Sequence, residues 1–472
     1  MTKTNKKHII KTWDNLYFKS YITAIIQMAF FTFIFLGIEY LFVNMISLST
    51  DESRTVAAQN YILGISAVGF MLCPLILKYS EKSKIIIATV GTVVSVALII
   101  TICNHISYTV TIISGMILFI ILGGFGSITI YKSLLLIKDK KHLAKIVGIS
   151  YMSGTLLQFI NNNLIYSQLI QAITLSVFIC ILILLLINTD KDNEQPTSKI
   201  NSKNQSKDVG IITVCLIILV VLITFIFSTL DNAVTLYHAS GITDIGQSPR
   251  ILLAFSGLIA GFLFDIRERK YMSVIMYCVM ILSTICLVII QFSGTFLIGL
   301  VVFYLSAGFF AVFFTASFME LAEYTKTPSL FAGFGRAVNN ITAAAITSGS
   351  LTLLNSKNNI AIIIVELILF TAISIVTLIY TSRRNIFLIK STNTEEPTPN
   401  IEEKLKSISE SYSLTPRESE TFKFLVATDD DLQTIANNMY ISKRTLERHI
   451  SSIYRKTQTK SRIGLLAIYN KK

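Results

Sequence analysis

The sequence predicts an all-α fold in two parts, a polytopic membrane bundle of twelve helices arranged as two six-helix repeats and a C-terminal domain of four helices. Three observations predict this fold. Of the 472 residues, 52% are apolar and 15% are charged, whereas soluble domains carry roughly a quarter of their residues as charges. Apolar runs long enough to cross a bilayer recur up to residue 380. Beyond them, a polar segment leads into a stretch with helical periodicity.

Twelve segments have the length needed to span a bilayer core, which takes about 20 residues of helix. A polar connector at 189–208, rich in Pro, Ser, Asn and Lys, separates the first six from the second six. The predicted spans are 21–46, 56–77, 85–103, 109–136, 144–164, 168–188, 209–230, 249–266, 271–291, 295–317, 330–353 and 359–380. The predicted domains are a basic N-terminus at 1–20, repeats at 21–188 and 209–380, a linker with a short amphipathic helix at 381–411, and a C-terminal domain at 412–472.

Lysine and arginine residues collect on one side of the predicted bundle. They crowd the N-terminus, the loops that follow even-numbered spans and the segment after span 12, while the opposite loops carry little beyond Arg54, Arg250 and Lys357. Loops rich in Lys and Arg stay in the cytoplasm. We therefore expect both termini and the connector at 189–208 to be cytoplasmic.

No pattern in the chain indicates a metal site, a cofactor or a catalytic centre. The six cysteines lie singly in apolar runs, without the paired spacing of a disulfide framework or a metal knuckle. No Ser/His/Asp set is evident, and the stretch "GGFGS" is not followed by the Lys-Ser/Thr of a phosphate-binding loop. We expect neither a metal nor a cofactor, and no enzyme activity.

The two halves share a charged loop at equivalent positions. "PLILKYSEKSK" at 74–84 follows span 2, and "GFLFDIRERKY" at 261–271 follows span 8. The second copy resembles the Gly-x-x-x-Asp-Arg-x-Gly-Arg-Arg loop of the major facilitator superfamily, a family of twelve-span transporters. The resemblance implies that this loop makes a breakable gate contact between the halves. The alternative is that its basic residues only set the topology of the chain in the membrane. The first copy departs, with Pro74 for the Gly and Lys78 for the Asp. The residues of the gate-like motif are Gly261, Asp265, Arg269 and Lys270.

Ionisable groups at membrane depth are costly and often functional. By resemblance to the superfamily, whose spans 1, 4, 7 and 10 line a central cavity, Glu39 and Asp231 are better cavity candidates than Glu366 in span 12. The alternative is that Glu39 lies close to the outer headgroups and is hydrated there. Our candidates for sensing a ligand or ion are Glu39, Asp231, Asn232 and Arg336.

Three further charged residues fall at the predicted cytoplasmic ends of spans. Lys132 lies at the end of span 4, and Glu320 and Glu323 lie at the end of span 10. Long charged side chains in such positions can reach water, so we expect all three to be solvated.

The segment after residue 400 carries helix signals in close succession. Ile401, Leu405 and Ile408 predict a short amphipathic helix. "TPRE" at 415–418 has the spacing of a capping box with proline at the first helical position. A second helix fits "DLQTIANNM" at 431–439, and Ser442 is placed to cap a third. A fourth, capped by Ser461, follows.

The third helix is basic on the faces that it does not bury. Leu446, Ile450 and Ile453 form its predicted apolar stripe. Cations can neutralise phosphates, and short polar groups with a glutamate can reach base edges in a major groove. The candidate DNA-binding residues are Lys443, Arg444, Thr445, Glu447, Arg448, His449, Ser451, Ser452, Arg455 and Lys456.

The ordered set "LTPRE", "IA", "ISKRTLERHISSIYRK" and "KSR" resembles the LuxR-type (GerE-like) helix-turn-helix over nearly all of 413–470. The resemblance implies a four-helix DNA-binding domain whose third helix reads DNA and whose fourth usually dimerises, in a bacterial protein of the cytoplasmic membrane. Thr445, His449, Arg455 and Lys456 match common family positions, while Glu447 replaces a frequent Lys. "DDD" at 429–431 replaces a more usual Gly-containing turn. We expect the preferred DNA sequence to differ from that of relatives with Lys at this position, since Glu accepts a hydrogen bond from a cytosine amino group.

Three functions follow from these parts. The first is a membrane-embedded one-component transcription regulator, in which a transporter-like domain senses a small molecule or a transport state. The second is a facilitator-type transporter with a regulatory DNA-binding tail. The third is a tail that binds protein instead of DNA. The expected partners are double-stranded DNA, the lipid bilayer, an unidentified small-molecule ligand, and a second copy paired through the tail on DNA.

Overall fold

The computed structural model describes residues 3–189, 203–241, 249–293, 296–355, 359–395, 401–427, 430–459 and 461–471. These residues form two compact units, Met1–Asn385 and Ile386–Lys472. They contain helices and no strand, so the predicted all-α fold is confirmed. Residues 190–202 of the predicted connector and Asp429 of the predicted turn lie outside the described residues.

Helices occupy all twelve predicted spans. The second span is broken before Pro74 into two helices, because proline lacks the backbone N–H that would continue the first. The helices of the first unit and its extension are α1 Lys3–Ile46, α2 Glu52–Met71, α3 Cys73–Ile76, α4 Glu81–Asn104, α5 Tyr108–Leu136, α6 Leu143–Leu164, α7 Gln168–Thr189, α8 Lys203–Ala239, α9 Pro249–Phe264, α10 Met272–Ser293, α11 Phe296–Ala322, α12 Pro328–Asn355 and α13 Asn359–Glu395.

Most of these helices are apolar enough to cross a membrane. Within the described residues, nine helical stretches have the required length and hydropathy, and Arg250–Phe264 and Met272–Thr284 are apolar but shorter. Helix α12 is in neither group and carries Arg336 with Asn339 and Asn340. The protein is therefore a multi-pass membrane protein.

The two halves of the bundle meet through pairs of helices that approach closely at small residues. Helix α2 packs on α12, and α6 packs on α9. A Cβ atom at Gly261 would lie 2.8 Å from the carbonyl oxygen of Ala144, and one at Gly148 would lie 2.8 Å from the Cα atom of Gly261. Larger side chains at Gly148 or Gly261 would therefore force α6 and α9 apart.

Lys132 is buried, and the expectation that it reaches water is wrong. The side chain lies inside the first half, and its Nζ donates to the carbonyl oxygen of Leu186 at 2.8 Å. A lysine near a helix end can satisfy its ammonium on a neighbouring helix as well as in solvent, and the position along the helix does not distinguish the two.

Helix α13 continues to Glu395, beyond the predicted end of span 12 at residue 380. Between 380 and Glu395 the sequence contains no proline or glycine to end the helix. The first part of the predicted linker is therefore helical.

The second unit has its own core, formed by α14 Ile401–Ser411, α15 Pro416–Ala427, α16 Leu432–Asn438, α17 Lys443–Thr457 and α18 Arg462–Lys471. The predicted amphipathic helix, α14, contributes Leu405 and Ile408 to that core, so it is part of the domain as well as of the linker. Leu446, Ile450 and Ile453 of α17 are buried there as predicted.

Candidate functional site

A cavity of about 160 Å³ lies between the two halves of the membrane unit. Its polar lining comes from both halves, and its walls include Phe35, Phe227, Phe303, Phe310 and Phe314. We call this space the charged cavity. Its polar lining residues include Glu39 on α1, Gln59 and Asn60 on α2, Tyr151 on α6, Asp231 on α8, Arg250 on α9, Tyr304 on α11 and Arg336 on α12.

Three of the four predicted sensing residues line this cavity. Glu39 accepts a hydrogen bond at Oε1 from Gln59 Nε2 at 2.7 Å. The guanidinium of Arg336 lies 5.6 Å from the ring centroid of Phe35 and 5.2 Å from that of Phe314. Two aromatic faces therefore stabilise and orient this cation.

Asn232 lies outside the cavity lining and joins the halves instead. Its Oδ1 accepts from Asn60 Nδ2 at 2.7 Å, and its amide donates to the hydroxyl of Ser350. These bonds connect α2 with α8 and α12 within a buried region. Glu366, the weaker candidate, is likewise absent from the lining of the cavity.

Asp265 occupies the contact between the halves at the end of the bundle where α9 ends and α6 begins. We call this the basic end. Asp265 accepts from the backbone N–H of Ala144 at 3.1 Å and from that of Lys145 at 2.7 Å. These are the orphan N–H groups at the start of α6, where the helix dipole favours an anion. A carboxylate of the second half thus caps a helix of the first.

Arg269 and Arg384 extend this contact through Glu320. Arg269 Nη1 lies 3.2 Å from Asp265 Oδ1, and its Nε lies 3.0 Å from Glu320 Oε1. Arg384 Nη2 lies 2.7 Å from Glu320 Oε2. All four side chains are at most 14% exposed, so the expectation that Glu320 is solvated is wrong. Asp265, Arg269, Glu320 and Arg384 are named the gate cluster.

The other charged residues of the loop, Arg267, Glu268 and Lys270, are exposed. Lys270, a member of the predicted motif, is exposed and is absent from the gate cluster. Glu323 pairs with Lys140 at 2.9 Å and is also part of the same end. Arg267, Glu268 and Arg269 have φ values of 48°, 55° and 65°. Left-handed backbone at three successive non-glycine residues is strained, and the buried ion pairs of Arg269 stabilise it.

The opposite end carries another contact between the halves. His238 Nε2 of α8 lies 2.9 Å from Asn44 Oδ1 of α1. The His238 ring also packs against Tyr40, with centroids 5.7 Å apart. Contacts join the halves on both sides of the charged cavity.

The second unit holds α16 and α17 in a helix-turn-helix arrangement. Asp431 caps α16, accepting from the Thr434 N–H at 2.9 Å. Ser442 caps α17, as predicted, by accepting from the Thr445 N–H at 3.1 Å. Gly464 N–H donates to Ser461 Oγ at 3.3 Å, so the predicted cap of α18 is also present.

The predicted DNA-binding residues divide into two groups in the structure. His449, Ser452 and Lys456 are half-buried. A surface depression on the outer face of α17 is lined by Arg444, Glu447, Arg448, Ser451, Ser452 and Arg455. The exposed members of the predicted set are Lys443, Arg444, Thr445, Glu447, Arg448, Ser451 and Arg455.

Ser452 and Lys456 hold α17 to the start of α15 through Glu418. Ser452 Oγ donates to Glu418 Oε1 at 2.6 Å, and Lys456 Nζ donates to Oε2 at 2.7 Å. The N–H of Thr415 also donates to Oε2 at 2.7 Å, which completes the predicted capping box. Burial raises the pKa of the Glu418 carboxyl, but the hydrogen bonds from Lys456, Ser452 and Thr415 outweigh it and lower the pKa to about 2.

Comparison with known proteins agrees with this division of the chain. Residues 412–468 match the family model of bacterial regulatory proteins, luxR family. The fucose:proton symporter FucP of E. coli, in an N162A variant, aligns with a TM-score of 0.54 and 12% identity over 78% of this chain and 99% of FucP. A second FucP structure, of this major facilitator superfamily transporter in the outward conformation, gives 0.52 and 12% over 77% and 99%. A search of curated protein sequences found no significant match. The chain thus joins a LuxR-type domain to a membrane bundle of major facilitator fold.

Proposed function

We propose that this protein is a membrane-embedded one-component transcription regulator, in which the bundle senses a small molecule or transport state and controls the LuxR-type domain. The observation that carries the proposal is the presence, in one chain, of a DNA-binding fold and a transporter-like bundle whose halves are joined by a breakable ionic cluster. A ligand that prefers one arrangement of the halves shifts the population of the other.

The proposed control passes from the bundle to the domain through helix α13. Arg384 lies on α13 and bonds Glu320, and its Nη1 donates to the carbonyl oxygen of Arg269 at 3.1 Å. The same helix continues to Glu395, six residues before α14 begins at Ile401. Breaking the gate cluster therefore removes the bonds that hold Arg384 of this helix to Glu320 and Arg269. The place of Arg384 in both the gate cluster and this helix supports control of the tail by the bundle.

The orientation that fits this function places the basic end in the cytoplasm. The charge asymmetry of the loops favours a cytoplasmic position for both termini, and the LuxR-type domain needs access to DNA. In a bacterium the membrane is the cytoplasmic membrane. Pairing of two tails through α18, where Ile463 is 77% exposed, lets each domain read one half-site of a pseudo-palindrome.

Readout of DNA is assigned to the exposed face of α17. Arg444, Arg448 and Arg455 neutralise phosphates or reach guanine, and Glu447 accepts from a cytosine amino group. Ser452 and Lys456 are bonded to Glu418. They support the position of α17 in the domain.

A facilitator-type transporter with a regulatory tail is the second candidate. The observation that favours it is the retained Asp265 cap on α6, a contact that can break and reform during alternating access. Uptake measured with and without residues 401–472 separates the two functions. A regulator needs the tail for its output, whereas a transporter retains uptake when the tail is absent.

The test of DNA binding uses residues 401–472, which contain all five helices of the second unit's core. Purified domain is incubated with fragmented genomic DNA at 50 mM and 200 mM salt, and the protected fragments are sequenced. We expect enrichment of a few pseudo-palindromic sites. Enrichment of no fragment even at the lower salt contradicts the regulator and favours a tail that binds protein.

Arg448→Ala is expected to weaken binding to the enriched site by about 1–3 kcal/mol if Arg448 contacts a guanine, and by less with a salt slope reduced by about one if it contacts phosphate. The control is Arg417→Ala, which removes an exposed cation of α15 that pairs with Glu420 within its own helix. Fluorescence anisotropy across a salt series measures both variants. Equal effects of the two substitutions would remove α17 as the reading helix.

Glu447→Gln is expected to bind non-specific DNA more tightly than the parent domain, because it removes an exposed carboxylate from a face that approaches phosphates. It is also expected to lose preference at one base pair, since an amide no longer selects the cytosine amino group. Binding to a library with single-base changes in the enriched site measures this loss. Unchanged preference at every position would place Glu447 away from the bases.

A further inference from the structure

The charged cavity contains two acids and two guanidiniums that do not pair with one another. Glu39, Asp231, Arg250 and Arg336 all line it and are half-buried. Glu39 interacts electrostatically with both arginines, and Asp231 with Arg250. Within the described part of the chain, none of the four has an ion-pair partner at or below 4.0 Å. The cavity therefore keeps apart acids and arginines that would otherwise form ion pairs with one another.

The arginines are placed to bind an anionic group. The Arg336 guanidinium lies over the rings of Phe35 and Phe314, which stabilise it as a cation within the cavity. The Nε atom of Arg250 is buried and has no hydrogen-bond partner among the residues that the structure describes. A carboxylate can accept two parallel hydrogen bonds from a guanidinium, so either arginine offers a fitted site for it.

The acids are placed to bind a cationic group. Gln59 is 4% exposed and uses its Nε2 to hold Glu39, which fixes the carboxylate. The Oε1 atom of the same Gln59 is buried and, within the described chain, has no hydrogen-bond partner. An ammonium group donates up to three hydrogen bonds, so it can satisfy Glu39, Asp231 and this amide oxygen together.

The size and walls of the cavity limit what fits between these two sites. At about 160 Å³ it is smaller than the roughly 300–1,000 Å³ of pockets that accept drug-sized molecules. Phe227 and Phe310 stack with ring centroids 4.9 Å apart and, with Phe303, form an apolar wall. A ligand with one compact apolar part and two charged ends matches this lining.

We propose that the charged cavity binds a small zwitterion of about the size of an amino acid, with its anionic end on Arg250 and Arg336 and its cationic end on Glu39 and Asp231. The inference rests on the proposed sensing function and names the class of ligand sensed. The cavity groups sum to zero formal charge, which a zwitterion leaves unchanged. A singly charged ligand would leave a desolvated charge of the protein unpaired, which is costly.

The test measures thermal stabilisation of the full chain in lipid nanodiscs, without DNA. The probes are the twenty α-amino acids, glycine betaine, β-alanine and γ-aminobutyrate. Each amino acid that stabilises is retested as its N-acetyl derivative, which keeps only the anion, and as its amide, which keeps only the cation. Glucose, fucose and glycerol are the uncharged probes. We expect at least one zwitterion to stabilise the protein and both of its singly charged forms to lose the effect.

Variants locate the binding. Glu39→Gln and Arg336→Gln are each expected to weaken the binding of that zwitterion tenfold or more, while Glu366→Gln, a membrane carboxylate outside the cavity lining, leaves it unchanged. Stabilisation by an uncharged or singly charged probe alone, or by none of the probes, overturns the proposal. So does equal binding by all three variants. Failure of DNA binding by the tail would not alter this measurement, so the two proposals fail separately.

Discussion

Glu418→Gln is expected to lower the stability of the DNA-binding domain at pH 7 by about 3 kcal/mol, the free energy that corresponds to a pKa moved from 4.5 to about 2. The carboxylate accepts from Lys456, Ser452 and Thr415 and is 6% exposed. A neutral amide can replace neither the charge-assisted bond to Lys456 nor all three acceptor contacts. For a small domain, this loss is a large part of the total stability.

The pH dependence gives this prediction a sign. The folded-state pKa of Glu418 lies below its unfolded value, so its contribution is fully present above about pH 4.5 and is lost as the pH falls toward 2. Urea unfolding of residues 401–472 at pH 7 and at pH 3 measures it. We expect the difference between wild type and Glu418→Gln to shrink at pH 3.

The matched control is Glu420→Gln, in the same helix. Glu420 is 44% exposed, and within the described residues of the domain it pairs only with Arg417, which is 61% exposed. Pairs of this kind contribute roughly 0.2–1 kcal/mol. A loss at Glu420 as large as that at Glu418, or a difference at Glu418 that does not change with pH, would contradict the role of this carboxylate.

Glu320→Gln is expected to open the basic end of the bundle. Glu320 neutralises both Arg269 and Arg384, whose side chains are 6% and 5% exposed. Breaking a buried ion pair by removing one partner costs about 3–5 kcal/mol. When that cost applies to the closed arrangement alone, it shifts the balance toward the open one by roughly a hundredfold or more.

Opening is measured by the labelling of a cysteine at Ala311, a small residue of the cavity lining. The six native cysteines are first replaced, and a water-soluble maleimide is added from the basic end. We expect labelling at least tenfold faster with Glu320→Gln than without it. Lys270→Gln, which alters an exposed cation of the same loop, serves as the control. Equal labelling of all three proteins would show that the gate cluster does not close this end.

The membrane fold is predictable because bilayer thickness sets the length of each span and proline or polar turns set its ends. The sequence therefore predicts how deep a residue lies in the membrane, but not the direction in which its side chain points. Arg250 follows Pro249 at the start of α9, and its sequence position predicts a cation in a loop. In the structure it lines the charged cavity. The sequence position of Glu320 predicts a solvated side chain. In the structure Glu320 instead bonds Arg269, 51 residues earlier, and Arg384, 64 residues later.

The DNA-binding domain is more fully predictable, because its signals are local. The caps Thr415, Ser442 and Ser461 act within three residues of their partners, so spacing alone identifies them. Ser452 and Lys456 are different. They share the polar face of α17 with the exposed cations, and only the fold brings Glu418 beside them. Periodicity separates buried from exposed positions, but it cannot separate a residue that binds DNA from one that supports the helix.

Transcript profiling tests most directly the claim that the bundle controls the DNA-binding domain. Three strains are compared with wild type at equal protein level: one lacking residues 401–472, one with Glu320→Gln and one with Lys270→Gln. We predict that Glu320→Gln changes the same genes as removal of the tail, while Lys270→Gln changes none of them. The result that would contradict the account is that Glu320→Gln changes none of the genes that depend on the tail, although cysteine labelling shows that its basic end is open. The bundle then does not control the domain.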